Sequence, residues 1–248
     1  MHLIVYGDFN CPYSYLASQR VDDVVRAGRA EVEWRAVEHD RRLPVTGKPS
    51  SLDPEPGQRE LAEVATLAGQ DEQAPDTGPA WVSNTGAAVA AYAEAVTDGV
   101  QDELRRSLFA EIWVRRRHVS GPSEIRQLVR ALMYPDGAHN GHLACPDLPA
   151  RVHHRVAVGA LPRLSGCTIS PAGGALTTEG HERIGRWRNE WLSGSAGVVP
   201  ALSHPDGMLA GVPALAYLAD LAAGAPAGNG LEPASARLGA GPRAAAAH

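Results

Sequence analysis

Near its beginning, over residues 2–17, the chain reads HLIVYGDFNCPYSYLA. The apolar run over residues 2–6, closed by Gly7 and Asp8, predicts a buried strand. From Pro12 to about residue 27 apolar residues recur at helical spacing. A proline suits the first turn, because an N–H at that position would have no hydrogen-bond acceptor within the helix. Residues 31–38 alternate between polar and apolar, which predicts a half-buried strand. The opening of the chain is therefore predicted to be a βαβ unit.

The remainder of the chain is predicted to be mostly helical before it returns to strands. Helices are predicted over residues 56–68, 85–97, 101–114 and 123–133, and a short one near 147–160. A helix over 178–192 is followed by a strand at 197–203, a turn at His204–Gly207, a strand at 208–210 and a last helix. An Asp-Gly pair between short apolar runs is a hairpin signal. This pattern predicts two halves of one sheet.

The predicted fold class is α/β, with a large all-helical insertion between the βαβ half and the ββα half. Residues 1–50 and 178–222 are assigned to the sheet domain, and residues 51–177 to the insertion. The end of the chain, 223–248, consists largely of alanine, glycine and proline, and we expect it to be disordered.

Composition narrows the function classes. The formal net charge of −5 comes from interspersed charges of both signs, so nucleic acid is not an expected partner. The longest apolar runs are too short to span a membrane, so a membrane is not expected either. The N-terminus resembles a strand and lacks signal-peptide features, which favours the cytoplasm. The three cysteines, Cys11, Cys145 and Cys167, are far apart and lack zinc spacing, so neither a metal nor a disulfide scaffold is expected.

Cys11 is the candidate nucleophile. It lies at the turn from the first strand into the first helix, where unpaired N–H groups and the helix dipole favour the thiolate and lower the thiol pKa. Ser14, three residues later, offers a hydroxyl that can donate to that thiolate. The alternative is a small buried cysteine with a packing role, because free cysteine is often buried.

The segment from Asp8 to Ala17 resembles the active-site segment of the DsbA-like thioredoxin superfamily. That group includes disulfide oxidoreductases, 2-hydroxychromene-2-carboxylate isomerases and kappa-class glutathione transferases. Residues 198–202 are similar to the cis-proline loop of the family, and residues 83–85 to an Asn-Thr motif in its helical insertion. The resemblance implies a thioredoxin-like fold with a cis Val199–Pro200 bond that faces Cys11.

Two departures from the family pattern matter. The oxidoreductases carry Cys-x-x-Cys, whose second cysteine resolves the mixed disulfide, whereas this chain has Ser14 at that place. The isomerases and kappa transferases carry Ser-Pro-Tyr-Ser, with a serine where Cys11 stands. The motif Cys-Pro-Tyr-Ser is therefore intermediate between the two branches.

The resemblance implies a thiol-dependent oxidoreductase with one active thiol and glutathione as its cosubstrate. Cys11 and Ser14 are the expected catalytic residues, and Pro12, Tyr13, Val199 and Pro200 are expected to bind glutathione or a peptide-like substrate. The first alternative is a glutathione-dependent isomerase or kappa-like transferase, in which Cys11 only orients the glutathione thiolate. The second is a non-catalytic thioredoxin-like binding module. A homodimer is left open.

No histidine is predicted to be catalytic. His39 follows the second predicted strand, where one interpretation has it facing the site, but a solvated position at the end of the strand is expected. His139, His142, His153 and His154 have no metal-ligand spacing with an acid or a cysteine, so they are interpreted as loop residues.

Overall fold

The computed structural model describes residues 1–52, 54–133 and 177–224. Within these ranges the main sheet contains β1 (His2–Gly7), β2 (Glu31–Ala36), β5 (Ala201–His204) and β6 (Gly207–Ala210), in the order β2-β1-β5-β6. β1 is parallel to β2 and antiparallel to β5, and β5 is antiparallel to β6. The two ends of the described chain thus form one mixed sheet, as predicted.

Three helices pack with this sheet. Helix α1 (Pro12–Arg26) connects β1 to β2, and α7 (Val212–Ala223) lies against α1. Helix α6 (Thr178–Ser195) precedes β5 and buries its two tryptophans, Trp187 and Trp191. Burying one apolar face of each helix removes it from water and is the main stabilising contribution to this layered arrangement.

The segment between β2 and α6 contains the remaining described elements. They are a 3₁₀ turn (Ser50–Leu52) and the helices α2 (Pro54–Leu67), α3 (Gly86–Asp98), α4 (Gln101–Phe109) and α5 (Pro122–Met133). The insertion over residues 51–177 was predicted to contain only helices, yet β4 (Trp81–Val82) lies within it and pairs antiparallel with β3 (Lys48–Pro49), which precedes it. Strands of two residues leave no periodic signal in a sequence, which explains the difference.

Two predicted elements differ in detail. The helix predicted over 101–114 leaves α geometry at Ala110 and continues as a π-helix to Val114. The strand predicted over 197–203 begins only at Ala201, because Ala196 and Gly197 have positive φ values of 53° and 82° and Pro200 has no N–H to pair in a ladder.

Some predictions concern parts of the chain outside the described residues. These are the short helix near 147–160, the surroundings of Cys145 and Cys167, and the tail beyond Gly224. The domain boundaries assigned from the sequence stay a prediction. Among the helices of the described residues, none has the length and apolar character needed to span a membrane.

An aromatic core holds the loop between β1 and α1. The ring of Phe9 lies 5.1 Å from that of Phe109 and 6.0 Å from that of Tyr92, both in tilted or edge-on arrangements. The indole N–H of Trp113, in the π-helix, donates to the backbone oxygen of Phe9 at 2.9 Å. The residue two positions before Cys11 is therefore anchored in the core by rings and by a hydrogen bond.

Candidate active site

Cys11 is the N-cap residue of α1. Its carbonyl accepts the first helical hydrogen bond, from the N–H of Tyr15 at 3.1 Å, and its own N–H donates to the carbonyl of Asp8 at 3.1 Å. These two bonds fix the direction in which the side chain leaves the turn. The residue is only 7% exposed, and Sγ lies 3.8 Å from the carbonyl oxygen of Val199.

The Val199–Pro200 peptide bond is cis, so the prediction made from the family resemblance is confirmed. The loop is held from two sides: the indole N–H of Trp191 donates to the carbonyl of Val198 at 2.7 Å, and the N–H of Gly211 donates to the carbonyl of Pro200 at 2.8 Å. Within the described part of the chain, the N–H of Val199 has no hydrogen-bond partner. It remains free to donate to a bound molecule beside Cys11.

Ser14 lies one turn along α1 and is fully buried. Its hydroxyl oxygen accepts a hydrogen bond from the N–H of Asp8 at 3.3 Å. Burial raises the pKa of Cys11 to about 12, although hydrogen bonds from the Ser14 hydroxyl and N–H act in the opposite direction. The sequence-based expectation of a lowered thiol pKa is therefore wrong for this structure, because the helix start that stabilises a thiolate is itself removed from water.

His39 lines the site, although a solvated position at the end of a strand was expected for it from the sequence. Its Nδ1 lies 2.6 Å from Oδ2 of Asp8, and its backbone N–H donates to the same oxygen at 2.8 Å. Burial lowers the pKa of His39, but the hydrogen bond and the charge of Asp8 outweigh that effect and raise it. The available signal was topological: Asp8 and His39 follow parallel neighbouring strands, whose carboxyl ends meet at one edge of the sheet.

Asp8 joins several parts of the fold at this edge. The carboxylate is 1% exposed, and Oδ1 accepts from the N–H of Asn10 at 3.0 Å and from the hydroxyl of Thr85 at 2.8 Å. With the two bonds from His39, four donors surround it. The Asn-Thr segment noted in the sequence thus reaches the site through Thr85, while the side-chain oxygen of Asn84 accepts from the N–H of Gly86, at the start of α3.

Two adjoining cavities open beside Cys11. The smaller, of about 200 Å³, is lined by residues of the β1–α1 turn and the start of α1, of the loop after β2, of α2 and of the cis-proline loop, namely Asn10, Cys11, Tyr13, His39, Glu60, Gly197, Val198 and Val199. The larger, of about 1000 Å³, shares Asn10, His39 and Glu60 with it and extends past Pro12 to Lys48 and Trp113. Ser14 and Pro200 are buried and line neither cavity. Of the six predicted site residues, four therefore line a cavity, namely Cys11, Pro12, Tyr13 and Val199.

Tyr13 lines the smaller cavity and is linked to α2. Its hydroxyl donates to Oε2 of Glu63 at 2.7 Å. Burial and the neighbouring carboxylates of Glu63 and Glu60 raise the pKa of Tyr13, so its hydroxyl stays protonated and acts as a donor. The described ranges contain no group of three or more histidine, cysteine, aspartate or glutamate side chains placed to hold a metal ion.

Comparison with known proteins identifies the family of this chain. The model of the DSBA-like thioredoxin domain matches residues 2–136, more than half of the chain. The chain belongs to the DSBA-like thioredoxin domain family. No curated protein matches this DSBA-like chain.

Solved structures share the fold of this DSBA-like protein. The probable DsbA oxidoreductase SCO1869 from Streptomyces coelicolor is 15% identical, with a TM-score of 0.57 and 90% of each chain covered. The cytosolic disulfide reductase DsbM from Pseudomonas aeruginosa, solved with GSH, is 14% identical with a TM-score of 0.52, covering 90% of this chain and 96% of that one. At such identities the likeness shows the fold alone, and the site must be argued from its own residues.

Proposed function

We propose that this protein is a cytoplasmic thiol-disulfide oxidoreductase that works with one active thiol, Cys11, and with glutathione as cosubstrate. The observation that carries the proposal is the position of Cys11 at the start of α1, with Sγ facing the Val199 carbonyl and with Ser14 one turn further on. In a two-cysteine site the resolving thiol lies where Ser14 is. An external thiol takes over that task here.

The cis-proline loop supplies the binding surface in this proposal. An extended peptide, or glutathione, pairs with the free N–H of Val199 in the manner of an added strand. Lys48, in the larger cavity, offers a cation for a carboxylate of the ligand. Pro12 and Tyr13 shape the rest of the wall. The structure of DsbM with GSH supports glutathione as the thiol class.

Restoring a second cysteine tests the position of the nucleophile. Residues three apart on a helix share a face, and Ser14→Cys should place the new sulfur within disulfide reach of Sγ of Cys11. In a full-length background carrying Cys145→Ser and Cys167→Ser, we expect mild oxidation to form an internal bridge, measured as the loss of two free thiols. That variant should reduce a model protein disulfide, whereas its parent should stop at a mixed disulfide until glutathione is added.

The matched control is Ser193→Cys, on the exposed side of α6. It adds the same thiol at an exposed position that lines neither cavity, and it should form no internal bridge. If Ser14→Cys also fails to form one, the proposed helix-start geometry is wrong. Cys11→Ser should abolish thiol exchange altogether.

A second candidate function is favoured by the burial of Cys11. A thiol whose pKa is raised to about 12 is a poor nucleophile, and in a glutathione-dependent isomerase or kappa-like transferase it need only orient the glutathione thiolate. Full activity of Cys11→Ser on an isomerase or transferase substrate would favour that function over the first. If the wild-type protein and Cys11→Ser both bind glutathione but neither turns over a substrate, this would indicate a binding module. The homodimer stays a prediction, which sedimentation can measure.

A further inference from the structure

His39 stands in the wall that the two cavities share, and Cys11 stands in the wall of the smaller one. Both residues therefore line one cavity, in which Sγ of Cys11 has the Val199 carbonyl as its hydrogen-bond partner. A volume of about 200 Å³ accommodates the thiol-bearing end of a small molecule. A molecule that fills this cavity borders both His39 and Cys11.

The hydrogen bonds of His39 determine which ring nitrogen is available. Nδ1 lies 2.6 Å from the Asp8 carboxylate, and a carboxylate can only accept, so Nδ1 carries a proton. In the neutral ring Nε2 is then the acceptor. Asp8 is itself fixed by the three other donors described above, and it cannot turn away from the ring. This arrangement fixes both the tautomer and the orientation of the imidazole.

The chemistry of the site requires such a base. A free thiol ionises with a pKa of about 8.5, so at neutral pH only a few per cent of an entering thiol is thiolate. The buried Cys11 thiol ionises even less readily. A base beside the cavity removes this limit on the rate.

We propose that His39 is the catalytic base for the thiol that discharges Cys11, with Asp8 as its positioning residue. The inference rests on the proposed function and adds the proton acceptor to it. Nε2 of His39 takes the proton of the entering thiol, whose sulfur attacks the outer sulfur of the Cys11 mixed disulfide. One S–S bond forms between the two small thiols while the bond to Sγ breaks. Cys11 is reduced, the small disulfide carries away the oxidising equivalents, and the imidazolium returns the proton to Sγ.

The charged groups around His39 set the pH range of this step. Asp8 and Asp40 face it from the loops that follow β1 and β2, and Glu60 faces it from α2. Lys48 also lines the larger cavity. The three carboxylates favour the imidazolium and raise the pKa of His39. As the pH falls, the ring is therefore protonated, and stops acting as a base, at a pH above the value of about 6.5 typical of histidine.

The test follows one half-reaction. In the full-length chain with Cys145→Ser and Cys167→Ser, Cys11 is converted to its mixed disulfide with glutathione, and 2-mercaptoethanol is added at a series of pH values. Mass spectrometry after acid quenching follows the return of the free Cys11 thiol, which is the product of attack on the outer sulfur. With His39 present, the rate should rise through an inflection above about pH 6.5. In His39→Gln the rate at neutral pH should fall about 10²-fold, the lower end of what a positioned base contributes. Its profile should then follow the ionisation of 2-mercaptoethanol alone.

His181→Gln is the matched control, since His181 is an exposed histidine on α6 that lines neither cavity. It should leave the rate and the inflection unchanged. The side chain of His39 is 36% exposed, so its replacement leaves the core intact. In His39→Ala, added imidazole should restore part of the rate, which a merely structural role of His39 would not permit.

Asp8 is tested by the direction in which the inflection moves. Asp8→Asn removes the charge that favours the imidazolium and should lower the inflection. Thr85→Val removes a donor from Asp8 while keeping its charge, which strengthens the attraction to His39 and should raise the inflection. If Asp8→Asn and Thr85→Val only destabilised the protein, they would not shift the inflection of the pH–rate profile in opposite directions.

The outcomes separate the two proposals. If Cys11 forms no mixed disulfide at any pH, the proposed function fails. If the mixed disulfide forms and His39→Gln discharges it as fast as His181→Gln does, the oxidoreductase proposal stands and the role of His39 is overturned.

Discussion

Two effects act in opposite directions on the thiol of Cys11. A helix N-terminus stabilises a nearby anion by about 0.3–1 kcal/mol, and by about 2 kcal/mol in favourable partly buried sites. One pKa unit corresponds to about 1.36 kcal/mol, so this effect lowers a pKa by about 1.5 units at most. Full burial shifts a pKa by up to about 3–5 units. Burial therefore prevails and raises the thiol pKa to about 12.

This balance predicts slow alkylation of Cys11. In the background without Cys145 and Cys167, iodoacetamide should react with the folded protein more slowly than with free cysteine at pH 8, and the rate should still be rising above about pH 8.5. Unfolding in urea should restore the rate of a free thiol. An inflection below that value would show that the helix start stabilises the thiolate more than burial opposes it. Mass spectrometry of the modified peptide gives the rates.

At the scale of elements, the site depends on how closely β1 approaches β2 and α1. Gly7 is the last residue of β1, and a Cβ there would lie 2.2 Å from Cζ2 of Trp34 and 3.2 Å from Oγ of Ser14. Trp34 is 3% exposed and packs edge-on against Phe109, so it has no room to withdraw. The absence of a side chain at Gly7 allows the indole and the first turn of α1 to meet.

Gly7→Ala should therefore destabilise the protein by about 1–3 kcal/mol, the usual cost of overpacking a core. It should also slow the reactions of Cys11, because Ser14 is displaced. The control is Gly185→Ala in α6, where a Cβ meets nothing within 4 Å. Alanine there should stabilise the helix by about 0.5–1 kcal/mol. Urea unfolding of both variants measures the two free energies, and a neutral Gly7→Ala would contradict the packing argument.

The sequence was informative where local rules decide the structure. The β1–α1 turn follows from an apolar run, a glycine and a proline, and the cis-proline loop was found by its likeness to a family. His39 could not be found in this way, because its partner Asp8 is 31 positions away and only the pairing of β1 with β2 brings them together. The direction of the Cys11 pKa shift was predicted wrongly for the same reason, since the burial of the thiol depends on residues such as Val199 that are remote in sequence.

For the whole molecule, Cys11 predicts how stability depends on pH. The unfolded chain releases the thiol proton above about pH 8.5, while the folded chain retains it up to a pH of about 12. The folded state thus binds more protons in this window, and the free energy of unfolding falls as the pH rises. Relative to Cys11→Ala, the wild-type chain should lose about 2 kcal/mol between about pH 8 and about pH 10.

The comparison with Cys11→Ala isolates this contribution, because the tyrosines titrate in both proteins. Urea midpoints at the two pH values give the difference. An unchanged difference would mean that the thiol ionises as easily in the folded protein as in the unfolded one.

The carboxylate of Asp8 has a consequence for how such a chain diverges over time. Its partners come from the β1–α1 turn, from the loop after β2 and from the start of α3, and each substitution among them leaves the others with an unmatched charge or donor. Changes at positions 8, 39 and 85 therefore carry a fitness cost when they occur singly and less when they occur together. In an alignment of descendants of this protein these positions should covary, whereas the exposed loops between them accumulate substitutions independently.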